Sequence, residues 1–123
     1  MAEGFEKLAA WQKSMDLAEQ VYEVTRTFPD VERFGLSAQM RRSSTSIPSN
    51  IAEGYGRLGR GDYLKHLGYA RGSAFELKTQ IRLAQRAKLS VSDGLAASCD
   101  EVVKILNKLI VSLQRGVARE DPP

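Results

Sequence analysis

Few side chains in this 123-residue chain have the types and spacing that catalysis requires. A nucleophile needs a base within reach, and a metal ion needs several ligands. With one histidine, His66, and one cysteine, Cys99, a single chain can form neither a Cys/His zinc site nor a disulfide. We interpret His66 as a surface or packing residue and Cys99 as a small buried hydrophobe. The sequence therefore predicts a non-enzymatic protein without a cofactor or a metal.

Two short motifs suggest chemistry, but their context does not support it. Gly54, Gly56 and Gly59 match the GxGxxG dinucleotide fingerprint, which requires a strand before it, whereas the pattern that precedes these glycines is helical. The run Ser-Ser-Thr-Ser at 43–46 offers hydroxyl groups, but small side chains beside Pro48 are better explained by close helix packing. Neither motif predicts an active site.

The basic residues are harder to explain by structure alone. Residues 33–88 carry 11 Lys or Arg against 3 Asp or Glu, a net charge of +8, whereas the remaining residues carry 7 against 12, or −5. Cations arrayed along a surface neutralise phosphates and bind RNA or DNA with little sequence specificity. The nucleic-acid-binding candidates are Arg41, Arg42, Arg57, Arg60, Arg71, Lys78, Arg82 and Arg86. The alternative is neutralisation within the fold, as between Glu53 and Arg57, which are spaced by four.

Apolar residues recur every three or four positions, which predicts helices and no strand. The first helix is expected from about Phe5 to Thr27, before Pro29. Its predicted core stripe consists of Leu8, Trp11, Met15, Ala18 and Tyr22, is continued by Thr25, and is widened by Leu17, Val21, Val24 and Phe28. The second helix is expected to begin near Gly35 or Leu36. We expect Pro48 to kink it rather than break it, because the apolar stripe keeps its phase across the proline.

The glycine-rich tract 54–61 is expected to end the second helix, and Asp62 to cap the third. The predicted core face of helix three consists of Tyr63, Leu67, Ala70, Ala74, Leu77 and Ile81. A second stripe lies about a quarter turn away, among the cations, and supplies the oligomer-interface candidates Leu64, Gly68, Gly72 and Phe75. Ser92 or Asp93 is expected to cap the fourth helix, and residues 116–123 to form a frayed tail.

Length and composition predict a single domain over residues 1–123, with 42% hydrophobic and 27% charged residues. No apolar run approaches the length of a membrane span, and Glu3 and Glu6 stand where a signal peptide carries positive charge. The sequence therefore predicts a cytoplasmic protein without a membrane partner. The expected fold is all-α, an antiparallel up-and-down four-helix bundle whose excess apolar surface suggests self-association.

Residues 34–42, FGLSAQMRR, and 46–54, SIPSNIAEG, resemble the second-helix signature of the 23S ribosomal RNA intervening-sequence protein family. FEKL at 5–8 and WQKSM at 11–15 are similar to its first helix. The resemblance implies an up-and-down four-helix bundle, assembly into a homopentameric ring and no established enzyme activity. Distant relatives are accessory proteins of diversity-generating retroelements, whose basic surfaces engage a reverse transcriptase and nucleic acid. Applying that role here is an analogy.

Two hypotheses follow for the function. In the first, a homo-oligomer, expected to be a pentamer, binds RNA or DNA through its basic surface. In the second, the chain is a protein-binding scaffold or accessory subunit that meets nucleic acid only through a partner.

Overall fold

A computed structural model describes residues 4–32 and 35–116. Its four α-helices are α1 (Ala9–Thr25), α2 (Leu36–Tyr55), α3 (Arg60–Arg86) and α4 (Asp93–Gln114). Short 3-10 turns at Gly4–Lys7 and Asp30–Glu32 precede α1 and α2, and the described residues contain no strand. The tail expected to fray lies, from residue 117 onward, outside the described residues. None of the four helices has an apolar stretch long enough to cross a membrane.

Each helix packs on the next one along the chain, and α1 also packs on α4, so the four helices surround one core. The six residues predicted for the core face of α3 are all at most 3% exposed. Between α2 and α3, Ser43 contacts Gln80 and Ser46 contacts Ser73, so these two helices run in opposite directions. The predicted all-α four-helix bundle is confirmed, while the up-and-down order of the whole bundle stays a prediction.

The buried face of α1 differs from the predicted core stripe. Met15 and Tyr22 were expected inside, but their side chains are 44% and 38% exposed. The residues of α1 that are buried are Ala10, Ser14, Leu17, Ala18, Val21 and Thr25. Leu17 and Val21 are at most 1% exposed and are among the largest side chains in the core, so they occupy the space expected for Met15 and Tyr22. The prediction for Met15 and Tyr22 was therefore wrong, and both are surface residues.

The helix ends differ from the predictions by a few residues. α1 begins at Ala9 rather than near Phe5, because the preceding residues form a separate 3-10 turn. α3 begins at Arg60 with Gly59 as its N-cap. Asp62 is therefore not the cap and lies in the first turn, where a carboxylate interacts favourably with the positive end of the helix dipole. Ser92 occupies the N-cap position of α4, as predicted, without a side-chain cap hydrogen bond.

Pro48 lies inside α2, which continues without a break on both sides of it. Ile47 and Ile51 flank it and are fully buried, so core packing holds the helix across the missing backbone donor. The kink stays a prediction. Ser43 and Ser44 are also buried, and their hydroxyls donate hydrogen bonds to carbonyl groups of α2 itself. They are packing residues, in agreement with the interpretation from sequence.

Candidate nucleic-acid and subunit interfaces

Five of the candidate cations lie along one edge of α3 and are here called the basic stripe. Its members are Arg60, Arg71, Lys78, Arg82 and Arg86. Their spacings of eleven, seven, four and four place them within roughly 80° of the helix circumference, over a length of about 39 Å. All are exposed except Lys78, which is half-buried. An edge of this length is suited to following a phosphate backbone.

Acidic residues of α4 neutralise part of the basic stripe. Lys78 Nζ donates to Asp100 Oδ1 at 2.6 Å. Arg82 lies 3.4 Å from Asp93 Oδ1 and donates to the side-chain oxygen of Gln85 at 2.9 Å. No such carboxylate partner is found within the described residues for the other three members of the stripe. The available positive charge therefore lies at Arg60, Arg71 and Arg86.

The other three candidate cations lie away from the basic stripe. Arg41 is half-buried, its Nε donates to Thr25 Oγ1 at 2.8 Å, and its guanidinium lies 4.9 Å from the ring centroid of Tyr22. It therefore fastens α2 to the end of α1, a contact that its place in the sequence did not indicate. Arg42, the next residue, is exposed.

Arg57 belongs to a small polar cluster at the junction of α2 and α3. Its Nη2 donates to Glu53 Oε2 at 2.7 Å, as the spacing of four predicted. This hydrogen bond holds the pKa of the Glu53 carboxyl below its ordinary value. The same carboxyl oxygen is 3.5 Å from Nε2 of the buried His66, whose Nδ1 is 2.9 Å from the carbonyl oxygen of Asp62. His66 is thus a packing residue that joins the two helices.

The four oligomer-interface candidates lie among and next to the cations of the basic stripe, and the structure adds two exposed apolar residues to them. The resulting outer face of α3 consists of Leu64, Gly68, Tyr69, Gly72, Phe75 and Leu83. Phe75 is 48% exposed, and the Arg71 guanidinium lies 5.2 Å from its ring centroid. A Cβ atom added at Gly68 or Gly72 would meet nothing within 4 Å. Packing within the described part of the chain therefore does not explain either glycine.

A groove between α1 and α2, here called the α1/α2 groove, is a second apolar surface. Its volume is about 510 Å³. Its lining consists of Trp11, Met15, Asp16, Ala18, Glu19, Tyr22, Thr45, Pro48, Ser49 and Ala52. The sequence prediction missed this groove because it assigned Met15 and Tyr22 to the core. The only feature of the sequence that could have indicated the groove was the apolar surface of α1, which is larger than packing against one core requires.

The described residues contain no group of three or more His, Cys, Asp or Glu side chains that could hold a metal ion. Cys99 is fully buried and its Sγ donates to the Ala74 carbonyl oxygen at 3.3 Å. Burial, with the nearby Asp100, raises the pKa of the Cys99 thiol to about 11, so the reactive thiolate is scarce at neutral pH.

Comparison with known proteins gives a family and a fold. A model of the family described as 23S rRNA-intervening sequence protein matches residues 6–109. Among solved structures, the chain is similar to a protein of unknown function from the S23 ribosomal protein family of Bacteroides thetaiotaomicron VPI-5482. The TM-score is 0.77 at 24% sequence identity, and the match covers 83% of this chain and 98% of that one. At this identity the likeness shows a shared fold. No curated protein matches the chain.

Proposed function

Because this chain belongs to the 23S rRNA-intervening sequence protein family, as its second-helix motif predicted, we propose that it is a non-enzymatic homo-oligomer that binds RNA or DNA. The observation that carries the proposal is the basic stripe of α3. Three of its cations have no carboxylate partner in the described part of the chain, and two of them, Arg60 and Arg86 near its ends, are the ones we assign to phosphates. Binding of this kind follows the phosphate backbone and has little sequence specificity.

The oligomeric part of the proposal is supported by the outer face of α3 and the α1/α2 groove. Both expose large apolar side chains, including Met15 and Phe75, and contiguous apolar surface on a folded chain marks an interaction site. A pentamer is the assembly that the family resemblance implies. Such an assembly would present one basic stripe per subunit, and several stripes binding one nucleic acid would raise the affinity through avidity.

A second candidate function is a scaffold that binds proteins and has no direct contact with nucleic acid. The observation that favours it is the neutralisation of Lys78 and Arg82 by α4, which leaves the middle of the basic stripe with little net charge. The two candidates differ in whether the purified protein binds nucleic acid without a partner.

Fluorescence anisotropy with labelled single-stranded RNA and DNA across a salt series tests the proposal. We expect binding at low salt that weakens linearly with the logarithm of salt concentration, because cations released from the phosphates drive it. The double substitution Arg60→Gln and Arg86→Gln removes two unpaired charges from each stripe, so we expect affinity to fall by roughly tenfold and the salt dependence to become shallower.

The matched control is Lys7→Gln with Lys13→Gln, which removes the same charge from two exposed positions remote in sequence from the stripe. It should leave the affinity close to that of the wild type. Equal losses in both double variants would show that the basic stripe is not the binding surface. No binding of either nucleic acid at low salt would exclude direct binding and favour the scaffold.

A further inference from the structure

The lining of the α1/α2 groove is suited to binding a helix that carries apolar side chains. Trp11, Met15 and Tyr22 of α1 form an apolar wall, and Met15 and Tyr22 are substantially exposed. On the α2 side, the lining consists of the small residues Thr45, Ser49 and Ala52 together with Pro48. Small residues on one helix let the backbone of a docking helix approach closely.

The two charged residues that line the α1/α2 groove are both acidic. Asp16 and Glu19 are part of its lining, and within the described residues neither has an ion-pair partner. Over the whole of α1, Lys13 stands against three acidic residues, a net charge of −2. The docking surface that fits this groove is therefore apolar in its centre and positively charged at its side.

The outer face of α3 has these properties. Phe75 projects from it, Arg71 lies over the Phe75 ring, and the exposed Gly68 and Gly72 leave space for a neighbouring backbone. The whole helix has 6 basic and 2 acidic residues, a net charge of +4. Arg71 and Phe75 are one helical turn apart, as are Met15 and Glu19 in the groove, so the two pairs match in spacing.

We propose that the outer face of α3 in one copy of the chain docks into the α1/α2 groove of the next copy. Phe75 packs on the apolar wall of the groove beside Met15, and Arg71 pairs with Glu19. Gly68 and Gly72 lie against the small residues of α2. This inference rests on the homo-oligomer proposed above and specifies its two contacting surfaces.

A contact of this kind joins two different surfaces of the same chain. Because the α1/α2 groove and the outer face of α3 consist of different residues on different helices, each copy keeps one of the two surfaces free for the next copy. Such head-to-tail contacts form a closed ring when the rotation between copies closes. Arg60 and Arg86, near the two ends of the basic stripe, are not needed for this contact and remain available to nucleic acid.

A charge exchange tests the pairing, with size-exclusion chromatography coupled to light scattering as the readout. Glu19→Arg and Arg71→Glu should each lower the mass from that of the wild-type oligomer toward the 13.6 kDa of one chain. The double variant, which restores opposite charges across the interface, should recover the wild-type mass. Glu23→Arg is the matched control, because Glu23 is exposed, lies one turn beyond Glu19 and does not line the groove. Its mass should equal that of the wild type.

Circular dichroism spectra should be the same for all variants, since each changed side chain is exposed. If both single variants keep the wild-type mass, the proposed interface is wrong while the oligomer itself stands. If they dissociate and the double variant does not recover, the Arg71–Glu19 pairing is wrong. A wild-type protein of 13.6 kDa would refute the homo-oligomer itself, and this docking with it.

Discussion

At the scale of single residues, Gly54 governs how closely α2 approaches α3. A Cβ atom at this position would lie 2.7 Å from the Cβ of His66 and 3.2 Å from the Tyr63 ring. Neither contact is with the end of a flexible side chain, so relief requires the two helices to move apart. The residues on either side of this contact, Ile51 and Tyr63, belong to the core and would lose packing.

We therefore expect Gly54→Ala to lower the free energy of unfolding by about 1–3 kcal/mol, the usual range for overpacking a close helix contact. Chemical denaturation followed by circular dichroism measures this directly. Gly61→Ala is the control, because an added Cβ there meets nothing within 4 Å. Alanine favours helix over glycine, so this variant should be at least as stable as the wild type. A Gly54→Ala protein of wild-type stability would show that the helices are not held at this distance.

The pairing of individual cations shows which contacts the sequence could predict. Glu53 and Arg57 are spaced by four on one helix, so their ion pair follows from helical geometry alone. Lys78 and Asp100 are on different helices, and their contact depends on the relative placement of α3 and α4. Helical spacing therefore predicted which candidate cations of α3 share one edge of the helix, but it could not predict which of them remain unpaired.

At the scale of helices, the end of α3 contains a strained residue. Lys88 has a φ angle of 67°, which places a non-glycine residue in the left-handed region. The backbone N–H groups of Lys88 and Leu89 donate to the carbonyl groups of Gln85 and Ala84. This is the Schellman arrangement, in which glycine is the preferred residue at the position of Lys88.

We expect Lys88→Gly to raise the free energy of unfolding by about 0.5–1 kcal/mol, because glycine adopts this conformation without the steric cost paid by other residues. Thermal unfolding at several protein concentrations checks this. Lys88→Ala keeps the Cβ atom and removes the charge, so its stability should stay close to that of the wild type. An equal gain in both variants would assign the effect to the charge of the lysine instead.

The helices themselves were largely predictable from the sequence, but the buried face of α1 was not. Periodicity identified the buried face of α3 because six apolar residues recur within a narrow arc there, apart from the exposed apolar residues of the outer face. On α1 the apolar residues cover a wider arc, and the choice between Met15 and Leu17 for the core depends on the neighbouring helices. That choice determines whether the α1/α2 groove exists. The groove could therefore be identified only from the packed structure.

At the scale of the whole molecule, positive and negative charge are separated along the chain. We propose that this separation supports both assembly and phosphate binding. The acidic residues that line the α1/α2 groove and the cations on the outer face of α3 attract each other between copies, which favours head-to-tail assembly. The cations left over at the ends of α3 then give the assembled protein a basic surface for phosphates. Neither use requires catalysis.

Sedimentation velocity of the wild-type protein with a fluorescently labelled RNA tests this central claim, because it reports the assembly and the binding together. At low salt we expect the protein to sediment as an oligomer of roughly five times 13.6 kDa, and the labelled RNA to sediment with it. At high salt the RNA should sediment alone while the protein remains assembled. A protein of 13.6 kDa, or RNA that sediments alone at low salt, would contradict the account.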